Sequence, residues 1–160
     1  SETHLMTKHP GEIGMRFARL GSKRIIGHVE AFDDKEEARE ALQSWRDNGA
    51  EAGLAILLPT PVNAIEPLLS SCDSVLMMSI ATIGTQGIPY DTSAPARIAG
   101  FHTRHPEMLI AVDGGVSESN IADLVRAGAR RFGVGSAISK AKDPAAAYVR
   151  LKTLAESAIV

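Results

Sequence analysis

The chain has 160 residues, 44% of them hydrophobic and 22% charged, a balance that fits one globular domain and excludes a disordered chain. Its net charge of −2 argues against a protein whose main task is to neutralise nucleic-acid phosphates or to dock on an anionic membrane. No apolar run approaches the roughly 18 residues of a membrane span, and the start Ser1-Glu2-Thr3-His4 is no signal peptide. Cys72 is the only cysteine, which rules out an internal disulfide framework and a cysteine-based zinc cluster. A cytoplasmic, globular domain is expected.

Strand-like and helix-like stretches alternate along the whole length. A first strand is expected over residues 3–6, a weak helix over 12–20 and a second strand over 24–29. Asp33-Asp34 then forms an acidic helix start, and Ala38, Ala41, Leu42 and Trp45 recur at the spacing of one helical face. A strand over 52–57, a weak helix over 62–69 and a strand over 74–80 follow. Beyond a loop at 81–90 come a weak helix over 94–103 and a strand over 109–112 with no polar side. Ile121, Leu124 and Val125 then mark a helix that Ser117 or Ser119 is placed to cap. A strand over 131–134 and a helix from Pro144 to about Ala158 complete the chain. Continuous apolar strands such as Leu54-Ala55-Ile56-Leu57-Leu58 are those of a parallel sheet covered by helices on both faces.

Three junctions repeat: Leu20-Gly21-Ser22, Asn48-Gly49-Ala50 and Ala127-Gly128-Ala129 each end a helix shortly before a strand. Glycine there suits a left-handed helix end. Serial βα units of this kind build an α/β fold, either a doubly wound open sheet or a (β/α) barrel. No G-x-G-x-x-G turn follows the first strand, whereas glycine-rich strand ends come late, at Asp113-Gly114-Gly115 and Gly133-Val134-Gly135-Ser136. Late strand ends are where barrels hold phosphate, so the TIM (β/α)8 barrel is the favoured architecture.

Asp113, between a buried strand and two glycines, occupies the barrel-mouth position where catalytic groups collect, although Asp-Gly is also a common turn pair. Gly114, Gly115, Gly135 and Ser136 would let backbone N–H groups approach a phosphate, or would simply pack tightly. His4 in the first strand is either a core residue or a ligand. His28 and Glu30 would share one face of the second strand, and His4, His28 and Asp113 have the donor chemistry of a divalent-metal site. Met6, Met77 and Met78 read as packing, or as soft apolar lining of a substrate pocket. The loop at 81–90, with Gly84, Gly87 and Gln86, is either a mobile lid or an ordinary connection.

Taken in order, His4-Leu5-Met6, Gly27-His28-Val29-Glu30, Gly53-Leu54-Ala55-Ile56 with Thr60-Pro61, Val75-Leu76-Met77-Met78-Ser79, Val112-Asp113-Gly114-Gly115-Val116 and Gly135-Ser136-Ala137-Ile138 resemble the ribulose-phosphate 3-epimerases over nearly the whole chain. The resemblance implies a TIM barrel of the pentose phosphate pathway that interconverts D-ribulose 5-phosphate and D-xylulose 5-phosphate. The reaction it implies is a metal-assisted proton abstraction at C3 through an enediolate, with two aspartates acting on opposite substrate faces. One divalent metal (zinc, iron, manganese or cobalt) would be held by two histidines and two aspartates. His4 matches one metal-binding histidine, and Asp113 matches a metal-binding, catalytic aspartate. Gly114-Gly115 and Gly135-Ser136 match the phosphate-gripping segments, and Met6 and Met78 match methionines near the reacting carbons. A homo-oligomer is implied by analogy.

The sequence departs from the family pattern in three places. The strand that bears the other metal histidine and the second catalytic aspartate is not among these residues. Glu2 stands where the family often has aspartate, and Ala81-Thr82-Ile83-Gly84-Thr85-Gln86-Gly87 replaces the usual Pro-Gly-Phe-Gly-Gly-Gln lid. The lid change keeps open a related barrel enzyme acting on another ketose phosphate, by hexulose-phosphate epimerisation or an aldolase-type step, and a non-catalytic phosphosugar-binding remnant is a third reading. Residues 1–160 are therefore expected to form one barrel domain carrying about six βα units, the third to the eighth. A complete barrel typically needs 200 or more residues, so ~50–60 N-terminal residues are expected to lie outside this sequence.

Overall fold

The computed structural model describes residues 1–85 and 87–159. They form two compact units, one spanning Ser1–Leu76 and one beginning at Met77. Strands and helices alternate as expected in both. Among the described residues, no helix is long and apolar enough to cross a membrane.

The first unit runs β1 (Glu2–Leu5), α1 (Pro10–Arg19), β2 (Arg24–His28), α2 (Lys35–Asp47), β3 (Glu51–Ile56) and the start of β4 (Ser74–Met78). β1 pairs with β2 and β2 with β3, all in parallel, and the register sets His4 beside Ile26 and His28 beside Ala55. Every residue of β2 is buried, as is β3 beyond Glu51, the expected state of a strand covered on both faces. Asp34 caps α2, its Oδ1 accepting from the Glu36 and Glu37 N–H groups at 2.8 and 2.9 Å. The predicted face of α2 (Ala38, Ala41, Leu42, Trp45) is the buried one.

Trp45 organises this unit. Its ring is wholly buried, and the indole Nε1–H donates to the Gly11 carbonyl at 3.0 Å. The ring lies where α1 and β2 carry glycine. A Cβ on Gly14 would overlap the indole, and one on Gly27 would stand 2.8 Å from ring atom Cη2. Two glycines thus make room for the largest core side chain.

Two expectations change in this unit. Residues 62–69 form no α-helix but two 3₁₀ turns, Val62–Ala64 and Glu66–Ser71. Pro67 supplies no N–H for an α-helical bond, which favours the tighter turn. β2 ends at His28, and Val29–Ala31 turn as a 3₁₀ segment. Strand alternation therefore does not place Glu30; the turn does.

The second unit holds the end of β4, then α3 (Ala94–Arg104), β5 (Leu109–Asp113), α4 (Ile121–Arg126), β6 (Arg131–Gly133), α5 (Ser136–Ser139) and α6 (Pro144–Ser157). β5 and β6 are parallel, with Asp113 opposite Gly133. Asp143 caps α6 through the Ala146 N–H at 3.0 Å. The serine cap expected for α4 does not form, because Asn120 holds the cap position. Asn120 instead ties the turn together, its amide oxygen accepting from Ser117 N–H and its amide nitrogen donating to Gly115 O, both at 2.9 Å. At the helix ends, Gly21, Gly49 and Gly128 have φ of +90°, +84° and +112°, the left-handed geometry the junctions predicted.

Candidate active site

In the first unit, His4 on β1 and His28 at the end of β2 come together. Parallel pairing sets His4 beside Ile26, and Ile26 and His28 share one face of β2, so both imidazoles stand on the same side of the sheet. Their rings stack at 5.0 Å between centroids, tilted by 21°, with Nε2 to Nε2 at 2.9 Å. His28 is 3% exposed. Its other nitrogen, Nδ1, is buried without a well-formed hydrogen bond and faces Glu30 Oε2 at 3.5 Å.

Glu30 is held from the far side, where its Oε1 accepts from the Leu57 N–H at 2.9 Å. Burial alone would push the Glu30 carboxyl up. The nearby His28 imidazole, Thr60 and the Leu57 and Glu30 amides outweigh it and hold the group at about 2, so it is a carboxylate across the physiological range. The sequence offers His28 as a third metal-ligand candidate beside His4 and Asp113; the structure turns its Nε2 toward His4 instead.

In the second unit, Asp113 ends β5 and is fastened through its backbone. The Ser79 N–H donates to the Asp113 carbonyl at 2.9 Å, and Ser79 Oγ lies 3.1 Å from that oxygen and 2.5 Å from Gly114 O. Ser79 is 1% exposed. Opposite Asp113 in the register stands Gly133, where a Cβ would come within 3.0 Å of the Asp113 Cγ and 3.1 Å of Oδ1. The carboxylate thus lies over a strand position where a larger residue would press on it.

Sequence reasoning misses both supports. Ser79 stands out only within a motif, and Gly133 only as part of a glycine-rich strand end. The register that opposes Gly133 to Asp113 is the missing information.

The candidate phosphate segments differ in character. Gly114 and Gly115 have φ of +110° and +66°, and a Cβ on them would stand 2.8 Å from Ile80 and 2.9 Å from Tyr90 respectively. Left-handed backbone and close neighbours both call for glycine at these positions. Gly135 differs: nothing lies within 4 Å of a Cβ placed there, and Ser136 begins α5 beside it. Of the methionines, Met6 is 46% exposed just beyond β1, and Met78 is 2% exposed at the end of β4.

The loop after β4 is closed at its base by an antiparallel bridge between Ile80 and Tyr90, and by the Asp91 N–H donating to Ser79 O at 2.9 Å. Gln86, named as a feature of that loop, lies outside the described residues. Cys72 is buried and its thiol is pushed up to about 12 by burial and the neighbouring Asp73 charge, so it is no nucleophile.

His4 and Asp113 offer the nitrogen and oxygen donors that zinc, iron, manganese or cobalt accept. Each fits such a metal in the kind of donor it offers. Among the described residues, no group of three or more His, Cys, Asp or Glu side chains is gathered for a metal ion.

Residues 1–139 match the model of the ribulose-phosphate 3-epimerase family. The chain belongs to that family. The ribulose-phosphate 3-epimerase of Aquifex aeolicus is 35% identical over 99% of this chain and 71% of its own length. The Escherichia coli K12 enzyme of the same name is 32% identical over 86% of this chain, which spans only 61% of that relative. Among solved structures, a complex of KGPDC from Streptococcus mutans aligns with a TM-score of 0.76 at 14% identity, over 94% of this chain and 69% of that one. That likeness bears out the expected α/β barrel-type fold. Family and named relatives together bear out the expectation of an epimerase-type isomerase.

Proposed function

We propose that the protein interconverts D-ribulose 5-phosphate and D-xylulose 5-phosphate, with Asp113 moving the C3 proton. The observation that carries this reading is the seat of Asp113 at the end of β5, its backbone tied to Ser79 and its carboxylate lodged over Gly133. Ser79 fixes the backbone at Asp113 and Gly133 leaves room for its carboxylate, a placement suited to a general base that must meet one hydrogen of a small substrate.

In the proposed step a carboxylate oxygen of Asp113 takes the proton from C3, and the electron pair of the C–H bond moves toward the C2 carbonyl to give an enediolate. Return of a proton on the opposite face inverts the centre and requires a second acid there. Of the two aspartates that the family resemblance implies, Asp113 is the one matched in this chain. His4 and Asp113 would contribute to holding a divalent metal, which when bound supplies positive charge against the developing oxyanion. Gly135 and Ser136, with open space beside them, are the favoured phosphate contacts, and Gly114-Gly115 border the same strand end as Asp113. Met6 and Met78 would line the sugar side with apolar surface. The substrate partner is a small phosphosugar, and a homo-oligomer is the proposed assembly.

The test is solvent exchange. In deuterium oxide, with zinc or cobalt supplied, the intact protein should exchange the C3 proton of ribulose 5-phosphate and form xylulose 5-phosphate. Asp113→Asn should lower turnover by at least ~10³-fold with the fold unchanged by circular dichroism. Near-normal turnover in that variant would remove Asp113 from its role. Exchange with a six-carbon ketose phosphate in place of ribulose 5-phosphate would transfer the reading to a related barrel reaction.

A further inference from the structure

We infer that Asn120 is a positioning residue for the substrate phosphate: by holding the Gly115 carbonyl it fixes the Val116 N–H as a donor to a phosphate oxygen. The identity of the anion rests on the epimerase reading, while the role of Asn120 stands on the geometry of the second unit.

Asn120 is 8% exposed and secures the segment after β5 in two directions. Its amide oxygen accepts from the Ser117 N–H at 2.9 Å, and its amide nitrogen donates to Gly115 O at 2.9 Å. The turn into α4 does not require the second contact. Backbone bonds from the Asn120 and Ile121 N–H groups to Ser117 O, at 3.2 and 3.1 Å, already close it. The bond to Gly115 reaches five residues back, out of the turn and into the glycine pair that follows Asp113.

That pair has a backbone freedom which a side chain must remove. Gly114 and Gly115, at φ of +110° and +66°, hold conformations that glycine enters and leaves at little cost. The peptide between Gly115 and Val116 is trans, so its N–H points opposite to its C=O. With the carbonyl drawn to Asn120, the Val116 N–H is turned away from Asn120. Ser79 acts likewise on the preceding peptide: its Oγ lies 2.5 Å from Gly114 O, which turns the Gly115 N–H away from Ser79.

Val116 is 4% exposed, and among the described residues its N–H has no hydrogen-bond acceptor. Folded proteins rarely leave a buried N–H in that condition, because it costs free energy until an acceptor meets it. A phosphate oxygen is an ionised acceptor with lone pairs to share between the N–H groups of successive turn residues. Gly115 itself is exposed, so the segment is open to such a ligand.

The experiment has two readouts on the intact protein, in the wild type and in Asn120→Ala, a substitution that changes no charge. Amide NMR follows the Val116 N–H signal during titration with inorganic phosphate, and steady-state kinetics separates KM from kcat for ribulose 5-phosphate. In the wild type, phosphate should move the Val116 signal saturably. Asn120→Ala should weaken phosphate binding and raise KM about 5–10-fold, the effect of one net hydrogen bond, with kcat held within about threefold. A wild-type Val116 signal that phosphate leaves unmoved would overturn the inference even where C3 exchange proceeds normally, and it decides the matter if the variant does not fold. Unchanged phosphate affinity in Asn120→Ala would overturn it too. So would a fall in kcat at constant KM, the mark of a structural role exerted through Asp113. A responsive Val116 signal and weakened phosphate binding in a protein that leaves ribulose 5-phosphate unchanged would uphold the role of Asn120 and count against the epimerase reading.

Discussion

Gly133 makes room for Asp113: a methyl group on the strand opposite would press within 3.0 Å of the carboxyl carbon. The two residues are register partners on parallel strands, so the β5–β6 pairing fixes their backbones and the Asp113 side chain is the part that must give. Gly133→Ala should therefore displace the carboxylate by a few tenths of an ångström without unfolding the protein. For a base that must meet one substrate hydrogen, such a shift should lower kcat by roughly tenfold, given that displacements near 1 Å cost about 10²-fold. Steady-state kinetics beside a thermal melt would check this; unchanged kcat would show that the contact does not position Asp113.

Ser79 is the second anchor. Its buried hydroxyl lies 3.1 Å from the Asp113 carbonyl and 2.5 Å from the Gly114 carbonyl, while the Ser79 N–H holds the first of these independently. Ser79→Ala should therefore leave mainly the Gly114 carbonyl under-satisfied. A loss of about 1–2 kcal/mol in urea unfolding is expected, the range for a buried acceptor that loses its partner. Turnover should fall as well, because the same hydroxyl holds the strand end that carries Asp113.

The fit of Trp45 against α1 predicts an overpacked variant. Gly14→Ala places a methyl group inside the indole, and that ring is fully buried with its Nε1–H committed to Gly11. Destabilisation of about 1–3 kcal/mol is expected. Trp45 is the only tryptophan, so its fluorescence reports the shift of the unfolding midpoint directly.

Asp73 links the start of β4 to its neighbours in the first unit. Its Oδ1 accepts from Arg46 Nη2 at 2.7 Å, and its Oδ2 accepts from Arg46 Nε at 3.2 Å and from the Ala52 N–H at 2.8 Å. Burial would raise its pKa, but the Arg46 and Ala52 hydrogen bonds outweigh it and hold the carboxyl below the ordinary aspartate value of 3.8. A depressed pKa means that the unfolded chain binds the proton more readily, so stability rises with pH through this window. The contribution is complete above pH ~4–5, where the unfolded aspartate is ionised, and fades as pH falls through the lower folded value. Urea midpoints measured from pH 6 to pH 2 should drop less steeply for Asp73→Asn than for the wild type. Parallel curves would show that Asp73 is not a source of the acid sensitivity.

Much of this molecule is legible in the residues alone. Continuous apolar runs mark strands buried on both faces, glycines mark the helix ends, and the order of short motifs identifies the family. His4 and Asp113 each have a bland alternative, a core histidine and an Asp-Gly turn, and it is the ordered set of motifs that singles them out. The serine cap on α4 and the helix over 62–69 mislead for local reasons: Asn120 occupies the cap position with its side chain turned back to Ser117 and Gly115, and Pro67 withholds a donor.

What the sequence by itself determined is which residue types stand at the ends of which strands, because burial and backbone propensity act over a few neighbours. Only the tertiary structure decided who meets whom there. The His4–His28 contact spans 24 positions and the Ser79–Gly114 contact 35, and both depend on the register of separate strands. A shift of one residue in that register turns every side chain to the other face, and side-chain packing across the whole sheet, rather than any local pattern, sets it. For that reason the seat that Gly133 leaves for Asp113, and the nitrogen of His4 that faces His28, became readable only in the folded chain.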